Sequence, residues 1–355
     1  MSPLFIPGPV DVDHDVLEAS VKPMLPHRSN EFEEIFHRAE IKARKLFGTQ
    51  YRVFITTSSG TGLLEAAVRN LAHLNVLSCV NGAFGNRWYE VAVANGKHAK
   101  KLGFVWGQPV LPGFVADALK ESHYDIVTIV HNETSTGLMN PVMEISNIVN
   151  EISPETLVCI DAVSSLAGVR IEMDSWGVDF VLTSSQKALA LPPGLALAAA
   201  SDRALNRAEK VENRGWYFDL LRMENHRKRD STPATPAISL IYALDFQLER
   251  ILSEGLDVRF SRYASMAKRV QNWAVERGFG LFAADGFRSH TVTTITNTLG
   301  IDIPKLNDFL MKQHMRIANG YGSLKDKTFR IAHMGETQMV DIENLLSTID
   351  QFLNI

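Results

Sequence analysis

Hydrophobic positions between Asn30 and Phe47 recur at the spacing of a helix. Apolar side chains stand every three or four residues, at Phe32, Ile35, Phe36, Ala39, Ala43, Leu46 and Phe47. Asn30 and Glu33 have the spacing of a capping pair, and Gly48 is the residue type that commonly ends a helix. The pattern therefore predicts a helix over residues 30–47.

After this helix, short apolar runs alternate with helical or loop segments. The runs cover residues 52–56, 76–80, 101–105, 125–130, 158–161 and 180–183. The run at 125–130 is nearly continuous rather than alternating, as expected of a parallel strand that is covered on both faces. The alternation predicts βαβ units and a large α/β domain.

A polar, proline-containing stretch over residues 230–236 interrupts this alternation, so we place a domain boundary there. Two long helical patterns follow, and then shorter strand and helix patterns. They cover helices at 238–252 and 258–277, a strand at 290–296, a helix at 303–314, a strand at 328–331 and a final helix ending at Phe352. These elements predict a smaller α+β domain, and the chain shows no internal repeat.

The composition is that of a globular protein that does not bind nucleic acid or a membrane. Of 355 residues, 45% are hydrophobic and 21% charged, which is enough for a large core and favours two domains. The net charge is -4, and the densest basic run, residues 226–229, is short enough to be a solvated turn. The longest apolar stretch, residues 188–200, is broken by Pro192, Pro193 and Gly194 and is too short to span a bilayer.

The two cysteines and the first residues predict a cytoplasmic protein. Cys79 and Cys159 each lie in an apolar, strand-like run, so we expect them to be small core residues in a reducing compartment. The N-terminus has no basic region followed by an apolar segment, and hence no signal peptide is predicted.

Lys187 is the first candidate for catalysis. It follows the strand-like run that ends at Thr183, and small polar residues of the kind that bind phosphate, Ser184, Ser185 and Gln186, come directly before it. A lysine whose stem lies in apolar surroundings can lose its proton and form an imine. Taken alone, the segment would favour a solvated surface lysine, and the small polar residues before it and its apolar flanks argue for the catalytic interpretation.

Two further segments end strand-like runs with polar residues. Asp161 stands at the carboxyl end of its run, where ligands gather in open α/β sheets. It could cap the following turn or pair with the ring nitrogen of a pyridine cofactor, and the nearby strand that leads to Lys187 favours the pairing. Residues 56–62, Thr-Thr-Ser-Ser-Gly-Thr-Gly, form a small-residue turn before a helix that we expect to start near Leu63, which is a common anion site.

Six motifs in order resemble those of the class V aminotransferases, in the alanine–glyoxylate and serine–pyruvate branch. They are Ser-Gly-Thr at 59–61, Asn-Gly-Ala-Phe-Gly-Asn-Arg at 81–87, Glu-Thr-Ser-Thr-Gly at 133–137, Asp-Ala-Val at 161–163, Ser-Gln-Lys-Ala-Leu at 185–189 and Phe-Arg-Ile at 329–331. The resemblance spans nearly the whole chain. It implies the pyridoxal-phosphate-dependent transferase fold of type I, an α/β fold with a mainly parallel seven-stranded sheet between helices and a smaller C-terminal α+β domain. It also implies an N-terminal segment near the active site over residues 1–20, a large domain over 21–236 and a small domain over 237–355.

The resemblance also assigns roles around pyridoxal 5′-phosphate. Lys187 would form the Schiff base and move the substrate proton, and Asp161 would pair with the ring nitrogen. Val163 would pack on one face of the ring, Phe84 would stack on it, and Thr134 would reach its phenolic oxygen. Phosphate contacts are implied for Ser59, Gly60, Thr61 and Gln186. Thr232 and Thr235 match a segment that relatives donate to the neighbouring subunit's phosphate, which implies a homodimer.

Arg330 matches the family's anchor for the substrate carboxylate. A planar guanidinium can bind a carboxylate through two parallel hydrogen bonds, and Phe329 and Ile331 flank it with apolar groups. Gly8 corresponds to an N-terminal stretch that passes the substrate in relatives, although a tight turn explains a glycine equally well. His27 and Arg28 could line the substrate entrance or support the first long helix.

Together these features predict a transaminase that moves an amino group from alanine or serine to glyoxylate or pyruvate by a ping-pong mechanism, without a metal. Phosphoserine or 2-aminoethylphosphonate transamination is the alternative within the same fold, with Arg28 binding a second anion. A cysteine desulfurase-type lyase is disfavoured because it needs a reactive cysteine on a mobile loop. A non-catalytic accessory homologue is disfavoured because Lys187, Asp161 and Arg330 are all present.

Overall fold

Twelve α-helices and fourteen strands build the protein in a computed structural model that describes residues 4–354. The helices are α1 His14–Ser20, α2 Asn30–Phe47, α3 Gly60–Leu71, α4 Ala83–Ala94, α5 Pro112–Glu121, α6 Val142–Ile152, α7 Asp202–Lys210, α8 Leu220–Arg227, α9 Ile238–Glu254, α10 Leu256–Glu276, α11 Ile303–Lys312 and α12 Met339–Leu353. The strands are β1 Leu4–Phe5, β2 Arg52–Thr57, β3 Asn75–Val80, β4 His98–Gly103, β5 Ile126–Val130, β6 Asn132–Glu133, β7 Leu138–Met139, β8 Leu157–Asp161, β9 Phe180–Ser184, β10 Leu195–Ala200, β11 Gly280–Leu281, β12 Val292–Thr296, β13 Arg316–Asn319 and β14 Thr328–Ala332.

Seven strands form the large sheet in the order β2, β10, β9, β8, β5, β3, β4. β10 runs antiparallel to β2 and β9, and the other neighbours are parallel. Every residue of β5, β8, β9 and β10 is buried, because helices cover both faces of the sheet. The carboxyl ends of β2, β3, β5, β8 and β9 therefore meet at one edge, and the predicted α/β architecture is confirmed.

The first long helix covers the predicted residues 30–47, but its cap differs from the prediction. Ser29, and not Asn30, is the N-cap, with its side chain accepting a hydrogen bond from the Phe32 amide. Gly48 ends the helix in the left-handed conformation, with φ +58°, and its N–H donates to the carbonyls of Arg44 and Lys45. The helix after β2 begins at Gly60 rather than near Leu63, so residues 59–62 of the small-residue turn form its N-cap and first turn.

Two strands of the large sheet depart from the sequence prediction. The edge strand β4 covers residues 98–103 instead of 101–105, because it pairs in register from Asn75 with His98 and its polar residues face solvent. β10 was not predicted as a strand. Its sequence, Leu-Ala-Leu-Ala-Ala-Ala, has a low strand propensity, and it is a strand because it fills the gap between β2 and β9 beneath α3.

The second sheet has five strands in the order β1, β13, β14, β12, β11. β1 pairs in parallel with β13, so the N-terminal segment joins the sheet built mainly from the C-terminal part of the chain. The unpredicted strand β13 is short and partly exposed. The division at residues 20 and 236 stays a prediction, and residues 1–3 and Ile355 of the predicted outer segments lie outside the described residues.

Both cysteines are buried free thiols, as predicted for core residues of β3 and β8. Between residues 4 and 354 there is no helix with the length and apolarity needed to cross a membrane. In the same part of the chain, no group of three or more His, Cys, Asp or Glu side chains is placed to hold a metal ion.

Candidate active site

Most of the predicted cofactor residues lie at or just beyond the carboxyl ends of the parallel strands. β2 leads to the turn at 59–61, β3 to Phe84, β5 to Thr134, β8 to Asp161 and Val163, and β9 to Gln186 and Lys187. Since these strand ends share one edge of the sheet, the fold gathers residues that are up to about 130 positions apart in the sequence. This edge is the candidate active site.

Lys187 occupies a half-buried turn in which its carbonyl accepts a hydrogen bond from the Ala190 amide, at 2.8 Å. Its Nζ donates to the carbonyl of Pro7. The pKa of this amine is lowered to about 8, mainly by burial and also by the positive charge of Arg330, while the Asp161 carboxylate acts in the opposite direction. A substantial fraction of the amine is therefore neutral, and so nucleophilic, slightly above neutral pH.

Gly8 lies directly against the Lys187 side chain. Its φ is +109°, and a Cβ at this position would lie 2.6 Å from both Cδ and Nζ of the lysine. Glycine is required here because other residues are strained at this φ, and a side chain would also displace the end of Lys187. The Val10 amide also donates to the Gln186 carbonyl at 3.1 Å, so the N-terminal segment covers the lysine turn.

Asp161 is 5% exposed and has one carboxylate oxygen free for a ligand. Oδ1 accepts a hydrogen bond from the Val163 amide at 2.8 Å, whereas Oδ2 has no hydrogen-bond partner among residues 4–354. Burial raises the pKa of the carboxyl group to about 6, and the charge of Glu133 acts in the same direction. A buried acid of this kind is suited to a cationic partner, which would remove the cost of keeping it ionised.

The N-terminus of α3 offers donors to an anion. Ser59 is the N-cap residue, but its side chain makes no capping hydrogen bond, and the 12-residue helix contributes the positive end of its dipole. A Cβ on Gly60 would lie 2.6 Å from Cγ2 of Val163, so this residue must be glycine for the turn to approach β8. Thr61 presents its hydroxyl on the same turn.

Phe84 is held in place by Glu133, whose part in the site the sequence analysis did not identify. The fully buried carboxylate accepts hydrogen bonds from the amides of Phe84, at 3.1 Å, and Gly85, at 2.9 Å, at the start of α4. The Ser135 hydroxyl also donates to it, at 2.5 Å. Glu133 is part of a quoted motif, but nothing in the sequence shows that it caps a helix 50 residues earlier.

Arg330 is a buried cation without a counter-ion. It is 8% exposed, and its Nε and Nη2 donate to the Asn319 carbonyl at 3.1 and 3.0 Å. Nη1 makes only a long contact of 3.4 Å to the Thr134 carbonyl, and no carboxylate of the described residues forms an ion pair with the guanidinium. Burial lowers its pKa to about 10, which leaves it charged near neutral pH. The arrangement suits an anionic ligand.

Two other side chains join this cluster without having been predicted. The guanidinium of Arg87 lies 4.9 Å from the centre of the Phe84 ring and donates to Thr61 Oγ1 at 3.3 Å. Its other arm reaches the Tyr321 hydroxyl at 3.4 Å, and the Tyr321 ring lies 5.5 Å from Phe84. Arg87 belongs to a quoted motif, whereas no sequence signal points to Tyr321.

The remaining candidates form no hydrogen bond with Lys187 or Asp161 in this chain. Thr232 is buried and donates to the carbonyl of Ala234, and together with Thr235 it lines a separate, largely apolar cavity. The exposed Arg28 donates to the Ser231 hydroxyl, and the half-buried His27 precedes it. Their roles in cofactor or substrate binding stay predictions.

The chain is similar to known proteins over most of its length. The family described as aminotransferase class-V matches residues 14–307. L-aspartate–glyoxylate aminotransferase of Paracoccus denitrificans is 32% identical, over 94% of this chain and 86% of that protein. The small subunit of a soluble hydrogenase from Synechococcus sp. is also 32% identical, over 99% and 92%. The crystal structure of alanine–glyoxylate aminotransferase from Nostoc sp. superposes with a TM-score of 0.93 at 28% identity, over 99% of this chain and 94% of that one.

Proposed function

Because the chain belongs to the class V aminotransferases, we propose that it moves an amino group from alanine or serine to glyoxylate or pyruvate in a ping-pong reaction. It is an aminotransferase with pyridoxal 5′-phosphate as its cofactor. The proposal depends on one observation: the half-buried amine of Lys187 and the free Oδ2 of Asp161 lie at the edge of the large sheet, and the unpaired cation of Arg330, on β14 of the second sheet, faces the same amine. Glyoxylate is proposed as an acceptor because named relatives of the chain use it.

The residues at the sheet edge fit the cofactor. Oδ2 of Asp161 has no protein donor and could accept a hydrogen bond from a protonated ring nitrogen. The N-terminus of α3, with the free hydroxyl of Ser59 and the close approach allowed by Gly60, suits the phosphate. Lys187 would hold the aldehyde carbon through its amine. When bound, the cofactor supplies an electron sink for the charge that develops on the substrate α-carbon.

The protein groups would bind the substrate and move its proton. Arg330 would orient the amino acid by its carboxylate, with the partly free Nη1 as one arm of the fork. Nζ of Lys187, whose pKa burial lowers to about 8, would take the α-proton and return it. The N-terminal segment around Gly8 covers this amine and would exclude water from it.

Arg330→Lys should lower kcat/KM by roughly ten- to a hundredfold, because it keeps the charge but loses one arm of a charge-assisted fork. The absorption spectrum of the bound cofactor should not change. Steady-state kinetics with alanine and serine as donors, beside a thermal melt, would measure the effect. Arg316→Lys on the exposed edge of the neighbouring strand is the control and should leave both unchanged. A lower melting temperature with unchanged kinetics would show that Arg330 is a structural residue and does not bind the substrate.

The donor is tested with a panel of amino acids against glyoxylate and pyruvate. We expect the highest kcat/KM for alanine or serine. Each of these donors has a single carboxylate, and one substrate carboxylate has an assigned partner, Arg330. Phosphoserine or 2-aminoethylphosphonate is the alternative. It is favoured by the basic surroundings of Arg28: burial lowers the pKa of His226, and the charges of Arg28, Arg229 and Arg222 act in the same direction. Higher activity with either phosphorus compound, lost in Arg28→Gln, would replace the proposed substrate.

We also propose that the enzyme is a homodimer with shared active sites. Thr235 is the residue for a complementation test, since it forms no hydrogen bond with Lys187 of its own chain. Sedimentation should show a dimer, and Thr235→Val and Lys187→Ala should each be impaired alone. Mixed dimers of the two variants should regain activity, because one of their two sites has an intact Lys187 and an intact Thr235 from the partner. A fully active monomer, or no recovery on mixing, would contradict the shared site.

A further inference from the structure

Arg259 on α10 is a fully buried arginine outside the residues assigned so far. The residue is 0% exposed, and its three guanidinium nitrogens make five hydrogen bonds. Two carboxylates, Glu254 at 2.7 Å and Glu336 at 3.1 Å, neutralise its charge. A buried cation is costly unless it is paired and bonded in this way, and replacing such a pair by apolar residues is often no loss in stability. Stability alone therefore gives a weak reason for Arg259.

The other three hydrogen bonds of Arg259 go to backbone carbonyls in three separate loops. Nε donates to Ala167 at 3.1 Å, and Nη2 donates to Ala188 at 2.9 Å and to Gly335 at 3.3 Å. Ala167 lies in the turn after β8, Ala188 follows Lys187 directly, and Gly335 lies in the loop after β14. One guanidinium thus contacts the segments that follow Asp161, Lys187 and Arg330.

Two of these loops contain a residue in a conformation that needs support. Ala167 has φ +66° and Ala190, in the turn begun by Lys187, has φ +53°. Alanine in the left-handed region is disfavoured, and it persists where surrounding contacts determine the backbone. The hydrogen bonds of Arg259 to the carbonyls of Ala167 and Ala188 are such contacts.

We propose that Arg259 is a positioning residue, which sets the place of the Lys187 amine relative to Asp161 on the large sheet and to Arg330 on the small sheet. The inference rests on the roles proposed above for those three residues. The positions of reacting groups must be held to within a fraction of an ångström. Residues that contact these groups or their backbone without touching the substrate determine this precision. Arg259 acts through the backbone and has no contact with the reacting atoms.

Arg259→Lys is the direct test, because lysine keeps the charge but cannot reach three carbonyls and two carboxylates at once. We expect kcat to fall by roughly ten- to a hundredfold, as for a small misplacement of a catalytic group. The pH midpoint of the absorbance change of the lysine-bound cofactor should also move, since Lys187 would change its distance from Arg330 and Asp161. This spectroscopic titration does not depend on turnover. The dissociation constant of the cofactor from the variant should be measured in parallel.

Tyr263→Phe is a milder second variant. The buried Tyr263 hydroxyl donates to the Gly335 carbonyl at 2.6 Å, so its loss should loosen only the loop after Arg330. We expect a higher KM for the amino acid with an unchanged pH midpoint. Arg269→Met is the matched control, since it removes a two-armed ion pair between α10 and α12, with Glu343, without touching these loops. It should lower the melting temperature alone.

The outcomes separate this inference from the proposed function. If Arg259→Lys and Tyr263→Phe lower only the melting temperature, as Arg269→Met does, Arg259 is a structural residue and the inference is wrong. If the unaltered protein itself binds no cofactor at Lys187, the proposed function fails instead. Should Arg259→Lys not fold, an unchanged KM in Tyr263→Phe would still overturn the inference.

Discussion

Lys187→Ala is expected to abolish transamination almost completely while the cofactor still binds through its phosphate. The substitution removes both the amine that would hold the cofactor and the base that would move the α-proton. Proton transfer by a positioned base alone contributes about 10²–10⁴-fold, so kcat should fall by at least about 1,000-fold. Borohydride reduction of the unaltered protein should attach the cofactor to Lys187, and mass spectrometry of the digested protein would locate the label.

Lys97 is the matched control for this experiment. It is also half-buried, burial lowers the pKa of its amine, and its Nζ donates to the carbonyls of Ala72 and His73. A lowered pKa without the strand-end environment should not be sufficient for function. Lys97→Ala should therefore keep its activity and its visible absorbance, and a borohydride label on any lysine other than Lys187 would overturn the central assignment.

Asp161→Asn should make the cofactor-free protein more stable than the unaltered cofactor-free protein. It should also make the enzyme much less active. Burial raises the pKa of Asp161 from 3.8 to about 6, so the folded state binds this proton more tightly than the unfolded state. Stability therefore falls as the pH rises from about 4 to 6, and the full cost of about 3 kcal/mol is present above that range. The amide carries no charge and should avoid this cost.

Denaturant unfolding of the cofactor-free proteins between pH 4 and 8 would measure this difference. The stability of the unaltered protein should decline with pH across this window relative to Asp161→Asn, whose kcat should be lower by roughly ten- to a hundredfold or more. Asp117→Asn, which changes an exposed carboxylate on α5, is the control and should shift stability by less than about 0.5 kcal/mol. Equal dependence of stability on pH in Asp161→Asn and the unaltered protein would show that ionised Asp161 does not lower the stability of the fold, and would contradict this prediction.

The sequence by itself determined the features that depend on local patterns. The periodic apolar side chains from Phe32 to Phe47 and the glycine after them specify α2 to the residue, since helix formation follows local spacing and a local stop. Continuous apolar runs likewise located the buried parallel strands. Because parallel strands align their carboxyl ends, the sequence also indicated that Asp161 and Lys187 would be neighbours.

Elements whose stability comes from their neighbours could not be predicted from local patterns. The alanines of β10 have little preference for a strand, and they adopt it because β2 and β9 pair with them on both sides. β13 is short and partly exposed, and its pairing with β1 joins residues that are more than 300 positions apart. The edge strand β4 took its register from β3 rather than from its own apolar residues.

The tertiary structure alone decided how the candidate site is supported. Glu133 holds the start of α4, and Arg259 contacts three loops, through hydrogen bonds to backbone groups that any sequence presents equally. The need for glycine at position 8 arises from its φ of +109°, a backbone conformation that only the folded N-terminal segment beside Lys187 reveals. The residues that meet at the site are thus marked in the sequence by their own chemistry. The groups that hold them there can be recognised only from their positions in the folded chain, because no local sequence pattern indicates them.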